Sequence, residues 1–300
     1  MKRGAGIYVE VFIRSSSEEI WRRTQIPALH QPWDLRFTTI EYLPRPSDDV
    51  PQQFLYATRI GFGMRIHGAG ESSGNRSSSD GIHTSALRFW SKDFRSLIEE
   101  GSGYWRYVPA DGGVRFLTWY DYTVRFGAVG RFIDRFFFRP LMGWATAWSF
   151  DRLRRWIEED LHPASAMRFS QFHAVARITI AFVWIWQGLF PKLLFADQDE
   201  VTLLKASGAP LEMLPALGIA EILFGIAFLV FWSNRSMFVL NSLLMIGAMV
   251  AVAVTSSSYL TAAFNPVTLN TCIIALSVVG YVAGPCVPSA RNCLRRPLES

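Results

Sequence analysis

Cysteine is scarce in this chain and poorly spaced for cross-linking: Cys272, Cys286 and Cys293 form no CxxC pair. That spacing excludes a disulfide framework and a structural zinc site. Also missing are a GxGxxG turn, a phosphate loop and a His/Cys/Asp/Glu run at metal-ligand spacing. A dinucleotide site within the chain, and phosphoryl-transfer chemistry, lose their usual signatures. The pI of about 9.3 raises the question of nucleic acid, but no basic run interleaves with aromatics. Several arginines instead flank apolar segments, which a membrane explains and a nucleic acid does not.

Charge of either sign becomes rare in the second half. Residues 1–163 carry 22 Lys and Arg against 19 Asp and Glu, and residues 164–300 carry 8 against 6. With half of all residues hydrophobic and a mean hydropathy of +0.17, the chain reads as two domains, 1–163 water-soluble and 164–300 lipid-soluble. Met1-Lys2-Arg3 begins like a signal peptide, but Glu10 and Arg14 interrupt the apolar run that follows. The first domain is therefore expected to stay on the side where it is made.

In that first domain Ile7, Val9, Val11 and Ile13 alternate with polar or exposed types, the period of a strand with one buried face. Ser15 to Ser17 followed by Glu18 and Glu19 supplies a cap and an acidic first turn for a short helix. Pro27 and Pro32 end it. Strands follow around Leu35 to Ile40, around Phe54 to Phe62, at 82–91 and at 103–108. Residues 44–51 form a Pro/Asp turn cluster, and Gly70 to Gly81, without one apolar side chain, reads as a flexible loop or hairpin tip. Asp111-Gly112-Gly113 signals a turn into the longest strand, 114–126, which puts Val114, Phe116, Thr118, Tyr120, Tyr122, Val124 and Phe126 on one face. From Ala128 to Asp160 the period becomes helical, with Ile133, Phe137, Leu141, Trp144 and Trp148 on one stripe and Phe150, Leu153 and Ile157 continuing it. Pro140 is expected to kink or restart this helix. The order predicts an α+β domain in which the last helix lies in the cup of a curved antiparallel sheet. His67 and His83 lack partners at diagnostic spacing, and Glu10, Asp34 and Asp121 read as salt-bridge or surface carboxylates.

Two segments, SSSEEIWRRTQIPALHQPWD at 15–34 and GRFIDRFFFRPLMGWATAWSFDRLRRWIEED at 130–160, give this domain a resemblance to the START-like, SRPBCC or polyketide cyclase-like superfamily. The resemblance implies a helix-grip fold around a cavity for a hydrophobic molecule such as a lipid, sterol, polyketide or aromatic compound. Tyr56, Phe116, Tyr120, Tyr122, Leu141, Trp144 and Trp148 are the residues expected to line it, with ordinary core packing as the competing reading of each.

The second half contains four apolar stretches, 171–190, 211–232, 236–255 and 266–284, each near the ~20 residues that cross a bilayer. Arg152, Arg154, Arg155, Arg168, Arg235, Arg291, Arg295 and Arg296 fall at one side of these spans and only Lys192 and Lys205 at the other. That asymmetry predicts that both termini lie in the cytoplasm. Charge inside a span is costly, so Arg177 and Glu221 are expected to face the bundle and each other. Gln187, Lys192 and Asn270 join them in a candidate polar site. A functional site and a device that fixes helix packing both remain open.

WIWQGLFPKLL at 184–194, GIAEILFG at 218–225 and FNPVTLN at 264–270 resemble the DoxX-like group of four-helix bacterial membrane proteins, which implies the inner membrane of a bacterium. By that resemblance Arg177, Gly188, Lys192, Glu221, Pro266 and Asn270 occupy the family's polar and small positions. Some of its members serve quinone-linked redox enzymes, and such domains occur beside NAD-binding epimerase-like proteins. Two functions are therefore expected to compete. One is a membrane-anchored binder of a hydrophobic molecule, needing no cofactor and having no catalytic motif. The other is a quinone-interacting or non-catalytic subunit of an oxidoreductase system, with an epimerase-like or reductase protein as partner.

Overall fold

The computed structural model describes residues 6–47, 50–61 and 63–297. Met1-Lys2-Arg3, Asp48 and Asp49 of the turn cluster, and Phe62 lie outside the described residues. The chain forms two compact units, 1–166 with 288–300, and 167–287. The boundary expected at 163/164 is thus nearly met, but the last residues return to the first unit.

The first unit is an α+β helix-grip domain. Strands β1 (Ile7–Ile13), β2 (Thr39–Tyr42), β3 (Gln53–Gly61), β4 (Met64–Ser77), β5 (His83–Trp90), β6 (Ile98–Ala110) and β7 (Gly113–Val124) make one antiparallel sheet in the order β1-β7-β6-β5-β4-β3-β2. Helices α1 (Ser17–Gln25) and α2 (Pro27–His30) join the two edge strands. Ser16 caps α1 by accepting from the Glu19 amide at 3.2 Å, as the Ser/Glu pattern dictates.

The stretch Gly70–Gly81 is not a loop over most of its length. Residues up to Ser77 continue β4, paired through Ser77↔His83 and Gly70↔Phe89, and only 78–82 turn. Ladder hydrogen bonds come from the backbone, so a strand whose side chains face water needs no apolar residue. The second strand is shorter than expected, since Leu35 to Phe37 belong to turns before β2.

Helix α3 (Gly127–Ile133) runs through a π-type turn at Asp134–Phe138 into α4 (Arg139–Glu158), which restarts with Pro140 in its first turn. The face that α4 lays on the sheet is formed by Ala147, Phe150 and Leu153, packed with Val9, Val11, Phe116 and Tyr107. Ile133, Phe137, Leu141 and Trp144, expected on the buried stripe, are exposed. Thr146 and Ala147 occupy inward positions instead, where small side chains let the helix axis approach the sheet, and Gly143 is covered by the Arg295 side chain. Chain residues 288–297 close the unit: Leu294 exchanges both backbone hydrogen bonds with Glu10 on edge strand β1, at 2.9 Å each. Cys293 enters the core, and Ser289 N and Asn292 Nδ2 donate to the buried Asp151 at 2.7 and 3.0 Å.

The second unit holds α5 (Pro163–Gln187, starting in the first unit and extended by a π-type turn to Leu194), α6 (Gln198–Ala206), α7 (Leu214–Val230), α8 (Ser236–Thr255) and α9 (Pro266–Ala283). Four of its helical segments, Pro163–Leu194, Leu211–Val230, Ser236–Thr255 and Pro266–Asn292, are long and apolar enough to cross a membrane. They meet at Ala176, Ile180, Phe228, Phe238 and Ile273. At Gly218 an added Cβ would stand 2.7 Å from the Gly188 carbonyl oxygen, so α7 and the end of α5 touch backbone to backbone.

Candidate functional site

The first unit holds a cavity of about 670 Å³ between α1, α2 and the six strands of the sheet from β2 to β7. That volume falls in the range of small-molecule sites. Trp21, Ile40, Phe54, Leu87, Phe89 and Trp105 give it an apolar wall, and the exposed Arg45, Val50 and Pro51 stand at its rim. Met142 brings the first turns of α4 to the wall.

One wall is polar and built around Arg36. Its Nε and Nη2 donate to Asp34 Oδ1 and Oδ2 at 2.9 and 2.7 Å, and His30 Nε2 lies 3.0 Å from the same carboxylate. A carboxylate only accepts, so that His30 nitrogen carries the proton. Burial acts to raise the Asp34 carboxyl, but Arg36 and His30 outweigh it and hold it below the usual carboxylate range. Burial pushes His30 below its ordinary value against the pull of Asp34, so the imidazole is neutral near pH 7. Asp34 is fully enclosed behind the cavity, while Arg36 and His30 reach its surface. The pair cancels its own charge and presents hydrogen-bond donors rather than a free ion.

Tyr120 and Tyr56 face this wall from the sheet. Thr146 Oγ1 donates to the Met142 carbonyl at 2.8 Å, so the Tyr120 hydroxyl donates to Thr146 at 2.9 Å. The Arg36 guanidinium lies 5.5 Å from the Tyr120 ring centre. Gly103 on β6, opposite Tyr120, is required by contact: a Cβ there would lie 2.4 Å from the tyrosine Cβ. Burial pushes the Tyr56 hydroxyl up to about 12. Deeper in, Gln25 donates to the Tyr107 hydroxyl at 3.0 Å and completes the polar end with Thr24 and Ser85.

Of the seven side chains expected to line a ligand site, Tyr56 and Tyr120 do line this cavity. Phe116 stacks on Phe150 at 4.5 Å in the core. Tyr122 points its hydroxyl at Asp134, 2.8 Å away. Leu141 and Trp144 face outward, and Trp148 is buried beneath the Arg152 guanidinium. Helix α4 offers the cavity Met142 because its side toward the sheet is spent on core packing. Arg36 and His30 escaped the sequence reading, although HQPWDLR places three titratable groups within seven positions among aromatics. Glu10, Asp34 and Asp121 are paired with Arg115, Arg36 and Arg139.

In the second unit the expected Arg177 to Glu221 pair does not form. Arg177 is buried, donating to His173 Nε2 at 3.0 Å and to the Phe228 carbonyl at 2.7 Å, with the Asn234 carbonyl as a third acceptor. Glu221 lies 3.2 Å from Lys192 Nζ, which also donates to Glu200 at 2.9 Å. The register explains the separation. Antiparallel α5 and α7 set residue 177 opposite 228 and residue 188 opposite 218, so Glu221 sits level with about residue 185, ~12 Å along the axis from Arg177. Gln187 and Asn270 are half-buried and join neither group. A third polar group lies between these levels: Trp184 Nε1 donates to Asn241 at 2.7 Å and Asn241 to Ser277 at 2.8 Å. His173 and Ser277 had no signal beyond being polar residues in apolar stretches.

A profile of the DoxX-like family matches residues 181–278. The uncharacterized membrane protein YndG of Bacillus subtilis is 45% identical over 186 residues, covering 61% of this chain and 68% of its own. Among solved structures, a STAR-related lipid transfer protein of Xanthomonas axonopodis is similar over 49% of this chain and 82% of that one, at 15% identity and a TM-score of 0.39. A hypothetical protein of Helicobacter pylori is similar over 50% and 86%, also at 15% identity and a TM-score of 0.39.

Proposed function

We propose, from the premise that the chain belongs to the membrane-protein family of Bacillus subtilis YndG, that it binds one hydrophobic small molecule or lipid in its first unit and presents it to its DoxX-like bundle. The observation that carries this reading is the 670 Å³ cavity with one apolar wall and one polar wall at Arg36, His30, Gln25 and Tyr120. Such a wall suits a mainly apolar ligand with a carbonyl or hydroxyl at one end. A free carboxylate would have to compete with Asp34 for Arg36. Anchoring helps because apolar molecules concentrate in the bilayer. Four crossings, an even number, would leave the segments before and after the bundle on one side of the membrane. The arginines flanking the spans support the cytoplasmic side of a bacterial inner membrane.

Native mass spectrometry of the full-length chain, followed by organic extraction, tests the proposal. A single apolar compound bound one to one supports it, and a chain that is empty after mild extraction rejects it.

The second reading rests on Lys192 between Glu200 and Glu221. This donor and two proton-accepting groups would suit a quinone headgroup, with the chain as a membrane subunit partnering a reductase or epimerase-like protein. Quinone binding that disappears in Glu221→Gln while the cavity ligand stays bound would favour it.

A further inference from the structure

The run from α3 into α4 is amphipathic in the wrong sense for a helix facing water. Its outward side carries Val129, Phe132, Phe136, Phe137 and Leu141, each more than half exposed. Its inward side is polar: Asp134 is buried, accepting from the Tyr122 hydroxyl at 2.8 Å and from Arg139 Nε at 3.0 Å. A surface helix of a soluble domain reverses this pattern, and a contiguous exposed apolar patch marks a binding surface. Arg131 and Arg135 stand exposed among the phenylalanines, and among the described residues neither has an ion-pair partner. Three phenylalanines interleaved with two arginines, one of them 5.7 Å from the Phe136 ring centre, make the composition of a helix lying in the headgroup region, aromatic rings toward the acyl chains and guanidinium groups toward lipid phosphates.

We infer that residues 127–144 dock on the bilayer as an interfacial element, favouring anionic phospholipids. The tether makes this occupant available at all times. Helix α4 ends at Glu158, and the first membrane-crossing segment starts at Pro163. The same segment carries Met142, which lines the cavity, so docking brings that wall to the membrane surface. The inference does not depend on what the cavity holds.

The test uses the full chain reconstituted into phosphatidylcholine vesicles with or without phosphatidylglycerol. A photoreactive benzoylphenylalanine replaces Phe136, or Leu55 on β3 as an exposed apolar control. Irradiation is expected to add the mass of one phospholipid at position 136 and only background at 55. The yield should rise with phosphatidylglycerol and fall several-fold in the Arg131→Glu, Arg135→Glu variant. Val129 is the second label site should the first variant misfold. Lipid labelling no greater than at Leu55, or cross-linking to a second copy of the chain, would overturn the inference. Lipid labelling that persists when the cavity is empty would leave it standing even if the ligand-binding proposal fell.

Discussion

Arg36 and Asp34 are each other's main partners, and removing one strands the other. Arg36→Met should cost about 3–5 kcal/mol, the usual penalty for leaving a buried charge uncompensated. Chemical unfolding of the soluble unit would register the loss, and an Asp34→Asn, Arg36→Met double variant should regain a large part of it. The same cluster sets a pH dependence. The folded chain keeps the Asp34 carboxyl below its ordinary value of about 3.9 and His30 below about 6.5. In both cases the unfolded chain binds a proton that the folded chain resists. Stability is therefore complete above about pH 6.5, falls as the pH drops below that, and falls again below about pH 4. His30→Phe should abolish the first decline and weaken the second, which Arg36 still sustains, in melting temperatures measured across pH. Tyr120 and Tyr56 were legible from strand alternation, because a side chain's face follows from its parity. Which aromatic residues meet the cavity and which meet α4 was not legible, because that depends on where the helix lies over the sheet.

The helices taught the opposite lesson in the two solvents. The second and third apolar stretches read from sequence coincide within two residues with Leu211–Val230 and Ser236–Thr255, while the first helical segment begins at Pro163 and the last runs to Asn292, each eight residues beyond the stretch read from sequence. Helix α4 was read with its apolar stripe inward, as for a helix covered by water on its other side. Its true inward face uses Thr146, Ala147, Phe150 and Leu153, and the stripe faces out. Period alone cannot tell a core stripe from a membrane-facing one when both solvents border the same helix. The Arg177 to Glu221 pairing failed for a related reason: two antiparallel helices can slide by a turn without changing either sequence pattern. Small residues fix that register. Gly218→Leu should push α7 from the Gly188 carbonyl and lower bundle stability by about 1–3 kcal/mol. Resistance to unfolding in mixed detergent micelles measures this, and unchanged resistance would mean that the contact is dispensable.

The domain boundary drawn from composition missed the chain's return. Residues 288–297 are short, without period, and follow the last span, so nothing local marks them as part of the soluble fold. Only long-range contacts do so: Leu294 against Glu10, and Ser289 and Asn292 against Asp151. A chain ended after Val287 should expose the β1 edge and strip two donors from the buried Asp151 carboxylate. It is expected to be degraded faster in the soluble unit than the full chain under limited proteolysis, with the bundle intact. For the same reason a fragment of residues 1–163 alone is a poor vehicle for ligand analysis.

The central claim is that the cavity in the first unit holds the ligand. Leu87 on β5 shares with Ser85 and Phe89 the sheet face that lines the cavity and stands opposite Gly103, so Leu87→Trp fills that space. Native mass spectrometry of full-length wild type and Leu87→Trp, prepared alike, is the most direct comparison. The wild type should carry one apolar molecule per chain, and the variant, with an unchanged circular dichroism spectrum, should carry none. An adduct of equal mass and occupancy in both would contradict the account and move the binding site out of the cavity.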